Sequence, residues 1–151
     1  MAKANRPLAS CCLVNKIDDV HADQLELEPA PSSVAAARRF AQAVLEAGGA
    51  SEDDWSVTQV VSELATNAVV HAGSPFVVSI ACDEARIRVS VTDHRPLARA
   101  AIRRISNETT TGRGLRLVQS LGQAWGVDQT DSDKTVWCEL RRGADLFVDS
   151  A

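Results

Sequence analysis

The chain has 151 residues, 45% of them hydrophobic and 24% charged, and a formal net charge of −4 at pH 7. This composition is typical of a globular protein, and a domain of this length can bury enough apolar surface to fold without metals or disulfides. An acidic balance argues against a nucleic-acid-binding surface, which needs a basic excess. No apolar run approaches the roughly 20 residues that span a bilayer, and the amino terminus lacks the long apolar segment of a signal peptide. We therefore expect a cytoplasmic protein without direct nucleic-acid or membrane partners.

The first 28 residues contain two short extended candidates. Residues 1–23 are predicted to be a tail, in which Ser10–Ile17 can form an edge strand. In Gln24–Glu28, leucines alternate with glutamates, which is the period-2 pattern of a half-buried strand. The sequence leaves the role of the adjacent Cys11 and Cys12 open.

Two helices are predicted next. The first starts at Ser32 or Ser33, either of which can cap it, and ends at the glycine pair 48–49. The second starts at Ser51 or Asp53 and runs to about His71, with an apolar residue at every third or fourth position.

The second half predicts a hairpin, a loop, a helix and two further strands. Alternating apolar residues mark the hairpin strands over residues 76–82 and 87–93, which Asp83-Glu84-Ala85 joins. The remaining elements, in chain order, are a loop, a helix and two strands over residues 94–111, 115–121, 123–129 and 134–140. The long loop has little periodicity, which favours a functional loop or lid.

The order of these elements predicts a two-layer α/β sandwich. We expect a mixed, mostly antiparallel sheet with helices on one face, formed by residues 24–141 and followed by a tail over 142–151. Cys82 and Cys138 have no partner at C-x-x-C spacing, so both are expected to be buried thiols.

The segment Glu63-Leu64-Ala65-Thr66-Asn67 carries the first candidate functional residues. Glu63 and Asn67 are four positions apart on a helix, so both project from one face. The carboxylate can accept a proton, and the amide can offer an oxygen to Mg²⁺. Because such a pair is more often a solvated surface, it needs support from elsewhere in the chain.

Asp93 ends a strand whose inward positions are apolar. It has the same parity as Ile87, Val89 and Val91, which directs its carboxylate inward. A buried charge needs a partner, and an adenine amino group would serve as the donor. An aspartate that caps the following turn is an equally good interpretation.

The segment Thr111-Gly112-Arg113-Gly114-Leu115 precedes a predicted helix. Glycines let the backbone approach phosphate oxygens, and a helix N-terminus offers unpaired N–H groups. Alone this is a weak signal, typical of a turn. It lacks the Gly-Lys-Ser/Thr sequence of a P-loop and the third glycine of the dinucleotide fingerprint.

Together these motifs resemble those of the ATPase superfamily shared by gyrase, the heat-shock chaperone, histidine kinases and MutL. The shared order is E-L-x-x-N-A-x-x-H-A, a hairpin ending in aspartate, a loop, G-x-G-L-x-L-V and Lys134-Thr135-Val136-Trp137. Within this superfamily, the chain is similar to the small anti-sigma-factor serine kinases over about residues 24–141. The resemblance implies ATP and Mg²⁺ as cofactors and a sigma factor and an antagonist protein as partners. It is compatible with a homodimer.

The resemblance also implies roles for the matching residues. Glu63 would be the general base, Asn67 the Mg²⁺ ligand, and Asp93 the residue that recognises the adenine amino group. The other nucleotide-binding residues that it implies are His71, Gly112, Arg113, Gly114, Leu115 and Thr135. From the residues alone, a strand threonine is more often structural, and a histidine at a helix end often interacts with the helix dipole.

The chain departs from the family pattern after Asp93. The family continues with glycines, as Asp-x-Gly-x-Gly, whereas this chain reads Asp93-His94-Arg95-Pro96. Without glycine the backbone approaches adenine less closely, so we expect weaker ATP binding than in relatives that keep the glycines.

The sequence thus favours a protein-serine kinase that transfers the γ-phosphoryl group of ATP to an antagonist protein and binds a sigma factor. The alternative is a partner-switching module that keeps the fold but turns over little or no ATP. A split histidine kinase fits less well, because none of His21, His71 and His94 lies on a separate dimerisation helix. The arginines of the 94–111 loop fit a solvated or phosphate-facing cluster better than a nucleic-acid surface.

Overall fold

The computed structural model describes residues 20–94 and 114–143, and the backbone alone at Leu115. The elements in chain order are β1 (His21–Leu27), α1 (Ser32–Ala47), α2 (Asp54–Asn67), β2 (Phe76–Cys82), β3 (Arg86–Asp93), α3 (Gly114–Leu121), β4 (Ala124–Gln129) and β5 (Lys134–Arg141). A 3-10 turn at Ser51–Asp53 precedes α2, and a π-helical turn at Ala68–Ala72 follows it. The features predicted at residues 10–17, 95–111, Gly112 and Arg113 lie outside the described residues.

The five strands form one sheet in the order β1-β2-β3-β5-β4. Within the described ranges, every neighbouring pair of strands is antiparallel. The predicted two-layer α/β sandwich is therefore confirmed, with a sheet that is antiparallel throughout these residues rather than mixed. Among residues 20–94 and 114–143, no helix has the length and apolar character that a bilayer crossing requires.

The hydrophobic core lies between one face of the sheet and the helices. Its largest fully buried side chains are those of Phe76, Leu45, Leu64, Ile80, Ile87 and Leu140. Each such side chain contributes about 1.5–3 kcal/mol when it leaves water. The alternation of buried and partly exposed residues along β3 and β5 agrees with the period-2 pattern in the sequence.

The first helix starts differently from the prediction. Its N-cap residue is Pro31, and no side chain caps the helix. The Ser33 hydroxyl instead donates to the carbonyl of Glu28 at 2.6 Å, so it ties the helix to the end of β1. The predicted end is confirmed, because Gly48 is the C-cap and Gly49 has a φ of 70°.

Hydrogen bonds between side chains and backbone groups stabilise the end of the sheet where β5 finishes. The Arg142 guanidinium donates to the carbonyls of Asp83 at 2.9 Å and Gly49 at 2.6 Å. The carboxylate of Asp53, which is 1% exposed, accepts the Gly143 N–H at 2.8 and 3.0 Å. We call this region the Arg142 end of the sheet; its contacts include two residues of the predicted C-terminal tail.

Candidate functional site

Helix α2 presents Glu63 and Asn67 on one flank. On the opposite flank, the Ser62 and Thr66 hydroxyls donate to carbonyls four residues earlier, at 2.7 and 2.6 Å, and Arg38 of α1 reaches Ser62 Oγ at 3.5 Å. Each residue of an α-helix turns the chain by about 100°, so the residues after Ser62 and Thr66 lie away from α1. Since α2 packs between α1 and α3, Glu63 and Asn67 lie on the flank towards α3. Both are half-buried.

The end of this helix is π-helical. The turn Ala68–Ala72 follows Asn67 directly, and Gly73, with a φ of 60°, closes it in the left-handed region that glycine favours. A π turn holds more residues than an α turn, so His71 is rotated out of the regular four-residue register with Asn67. His71 lies on the exposed side of the turn. The predicted helix over residues 53–71 is thus present, with a changed last turn.

Asp93 points inward at the end of β3. Ile87, Val89 and Val91 are buried on the same face, as the parity of the sequence predicted, and Asp93 itself is 1% exposed. Its carboxylate forms an ion pair with Lys134, with 3.1 Å between Oδ2 and Nζ. The inward parity of Asp93 predicted that its carboxylate needs a donor, and Lys134 of the same chain supplies it.

Lys134 is the residue near the candidate site that the sequence analysis missed. It is the first residue of β5 and lies directly opposite Asp93 in the β3–β5 register. The sequence does indicate that Lys134 points inward, because it has the same strand parity as Val136, Cys138 and Leu140, which are all buried. A lysine at an inward strand position needs an acidic partner in the core, and Asp93 is the inward acid at the end of a strand.

Thr135 lies on the other face of the sheet. It follows Lys134, and consecutive strand residues point to opposite faces. Its hydroxyl is 2.8 Å from that of Thr92, which is its partner across β3 and β5. The structure therefore does not bring Thr135 to the face on which Asp93 lies, and the threonine pair links two strands.

Helix α3 lies on the same side of the sheet as α2. Val118 is fully buried, and its carbonyl accepts the Cys138 thiol of β5 at 3.9 Å. The described part of the helix begins at Gly114, one residue before the predicted start at Leu115, and the positions of Gly112 and Arg113 lie outside the described residues.

The structure thus brings together part of the predicted set. The helix α2 runs from the Arg142 end, where Asp53 binds Gly143, to the opposite end, where the chain enters β2 opposite Asp93. Asn67, at the end of α2, is therefore near the Asp93 end of the sheet, and Glu63 lies one turn earlier. A second pair, His94 Nδ1 and Asp133 Oδ1 at 2.8 Å, lies at this end in contact with solvent.

The described side chains do not form a complete metal site of their own. Within residues 20–94 and 114–143, no three His, Cys, Asp or Glu residues are grouped to hold an ion. Mg²⁺ is usually bound by one or two protein oxygens, waters and substrate phosphates. The half-buried amide of Asn67 fits that mode of binding, in which a nucleotide supplies the other ligands.

Comparison with known families matches residues 27–139 to the family described as the histidine kinase-like ATPase domain. The match covers most of the chain, including α2, β3 and α3. The chain belongs to this family. Comparison with curated proteins found no match.

A solved structure shares this histidine kinase-like ATPase fold. It contains the RsbU and RsbW domains of Rv1364c from Mycobacterium tuberculosis, and it superposes with a TM-score of 0.58 at 20% identity. The superposition covers 81% of this chain and 34% of that one, so the chain spans about a third of that protein. At this identity the likeness shows the fold.

Proposed function

We propose that this domain binds Mg·ATP beside the Glu63–Asn67 flank of α2, with the base towards Asp93 and the phosphates towards the start of α3. One observation carries the proposal: a carboxylate that is 1% exposed ends β3, on the face that α2 and α3 cover. The N-terminus of α3 offers backbone N–H groups and a favourable dipole for phosphate oxygens. Membership of an ATPase domain family supports the same assignment.

The proposed reaction is transfer of the γ-phosphoryl group to a serine of an antagonist protein. The serine oxygen forms a bond to the γ-phosphorus, the bond from that phosphorus to the β–γ bridging oxygen breaks, and ADP leaves. Glu63 accepts the serine proton, and Asn67 would hold Mg²⁺, which neutralises phosphate charge when it is bound. By its resemblance to anti-sigma-factor kinases, the protein would also bind a sigma factor, and phosphorylation of the antagonist would set which partner it holds.

A specific observation favours a second candidate, a partner-switching module with little or no turnover. The residues after Asp93 lack the family's glycines, so the backbone approaches adenine less closely at this end of the sheet. The module would keep the fold and the partner surfaces without phosphoryl transfer.

Calorimetric titration with Mg·ATP tests the binding step. We expect a Kd of roughly 10 μM to 1 mM, which corresponds to about −7 to −4 kcal/mol, and weaker binding to Asp93→Asn. Nanomolar binding would show that the missing glycines matter little. Incubation with labelled ATP and candidate antagonist proteins then separates the two functions, because the module transfers no label.

A further inference from the structure

Asp93 and Lys134 form an ion pair that is almost fully withdrawn from solvent. Their side chains are 2% and 4% exposed. Removing two charges from water costs several kcal/mol per ion, and apolar residues in their place are often as stable or more so. Packing alone therefore does not account for a charged pair at this position. The pair joins β3, whose Asp93 is proposed to recognise the base, to the neighbouring strand β5.

The geometry of the pair limits what it can contact. Both residues lie on the final rung of the β3–β5 register, on the face that the helices cover. A carboxylate oxygen and an ammonium nitrogen, 3.1 Å apart, stand side by side. An ammonium has three N–H donors, and the ion pair with Asp93 engages one of them. The pair thus presents an acceptor next to a donor.

We propose that Lys134 is a base-recognition residue, whose ammonium donates a hydrogen bond to N1 of adenine while Asp93 accepts one from the neighbouring 6-amino group. This inference rests on the proposed ATP site. The Watson–Crick edge of adenine carries a donor, the 6-amino group, beside an acceptor, N1. An acceptor beside a donor is the complementary pattern, and hydrogen bonds to a charged partner are stronger than neutral ones.

The same order of groups disfavours guanine. Guanine carries an acceptor, O6, where adenine has its amino group, and a donor, N1–H, where adenine has an acceptor. In the same pose, O6 would face the Asp93 carboxylate and N1–H would face the Lys134 ammonium. Both contacts are repulsive, and a site with mismatched buried polar groups rejects a ligand strongly.

Base analogues test the proposal on the unmodified protein. Calorimetry compares Mg·ATP with 1-deaza-ATP, in which a C–H group replaces N1, and with 7-deaza-ATP as a control that leaves the Watson–Crick edge unchanged. We expect 1-deaza-ATP to bind about 10- to 100-fold more weakly than ATP, and 7-deaza-ATP to bind like ATP. Equal binding of ATP and 1-deaza-ATP, or GTP binding as tight as that of ATP, would overturn the proposal and leave the ATP site standing.

A matched pair of variants assigns the effect to Lys134. Lys134→Met alone leaves the Asp93 carboxylate buried without a cation, which can unfold the domain, so the comparison is Asp93→Asn against Asp93→Asn/Lys134→Met. The ratio of ATP to 1-deaza-ATP affinity should persist in the first and fall to about one in the second. A ratio unchanged by loss of Lys134 would contradict the proposal. Absence of any ATP binding to the wild type would instead contradict the proposed function.

Discussion

The two ends of the sheet stabilise polar side chains in different ways. At the Arg142 end, most of these bonds go to backbone groups: Arg142 donates to three carbonyls and Asp53 accepts the Gly143 N–H, beside one longer ion pair between Arg142 and Glu52 at 3.8 Å. At the Asp93 end, side chains bind each other: Asp93 pairs with Lys134, and His94 pairs with Asp133. Asp53 and Asp93 are equally buried, each 1% exposed, so these two carboxylates differ in partner and not in depth.

This difference suggests that one end of the sheet stabilises the fold and that the other end binds the ligand. A backbone partner is fixed by the fold, so the bonds at the Arg142 end hold the chain in place. A side-chain partner can turn towards a ligand, and the Asp93 end also has the half-buried Glu63 and Asn67. We therefore expect changes at the Arg142 end to lower stability, and changes at the Asp93 end or its adjoining helix flank to lower nucleotide binding or transfer.

The largest effect is expected for Glu63→Gln. The amide keeps the size of the side chain but cannot accept the serine proton, and general-base catalysis contributes about 100- to 10,000-fold. Label transfer from ATP to the antagonist should fall by that factor, while calorimetry should give unchanged ATP affinity. Glu46→Gln, at an exposed position of α1, is the control. Full transfer by Glu63→Gln would show that the base is another group.

Asn67→Ala should weaken binding itself. Loss of the proposed Mg²⁺ ligand is expected to lower the affinity for Mg·ATP about tenfold or more, which is at least about 1.4 kcal/mol, and to change the affinity for metal-free ATP much less. Calorimetry with and without Mg²⁺ measures both. Gln42→Ala, exposed on α1, should change neither. Equal loss in the two titrations would mean that Asn67 contacts the nucleotide and not the metal.

Asp53→Ala should lower the stability of the fold and leave nucleotide binding unchanged. It leaves the part-buried Gly143 N–H without its carboxylate acceptor, and a hydrogen bond to a charged group contributes about 1.5–3 kcal/mol. Urea unfolding should show that loss, with ATP affinity unchanged. The neighbouring Asp54→Ala is the control and should cost about 0.5 kcal/mol or less. Weaker ATP binding by Asp53→Ala would remove the distinction between the two ends of the sheet.

Local patterns in the sequence predicted much of this arrangement. Period 2 placed Asp93 inward, and helical spacing placed Glu63 and Asn67 on one flank, because each pattern depends on residues a few positions apart. The Asp93–Lys134 pair depends on how β3 and β5 align, and the bond from Asp53 to Gly143 joins residues 90 positions apart. Local parity places Lys134 and Asp93 inward, but the alignment that sets them opposite each other is fixed by the packing of the whole domain.

The same long-range contacts distinguish the two buried cysteines. Cys82 is at the Arg142 end, opposite Ile87, and Cys138 is central in β5. Burial raises the pKa of both thiols above the ordinary 9.0, that of Cys138 to about 12. Arg142 partly opposes the effect at Cys82, because its positive charge lowers the pKa of that thiol.

The smallest expected effect is therefore an order of reactivity between these thiols. When native protein is alkylated at rising pH, Cys82 should react before Cys138, and mass spectrometry of the separate peptides measures this. The free energy of unfolding should also fall as the pH rises from about 9 towards 12. In this range the unfolded chain releases its thiol protons while the folded chain keeps them. The unfolded state therefore binds fewer protons, and it becomes more favourable as the pH rises. Cys138→Ala should make this decline shallower. If Cys138 reacted first, the effect of Arg142 on the pKa of Cys82 would be too weak to make that thiol the more reactive of the two.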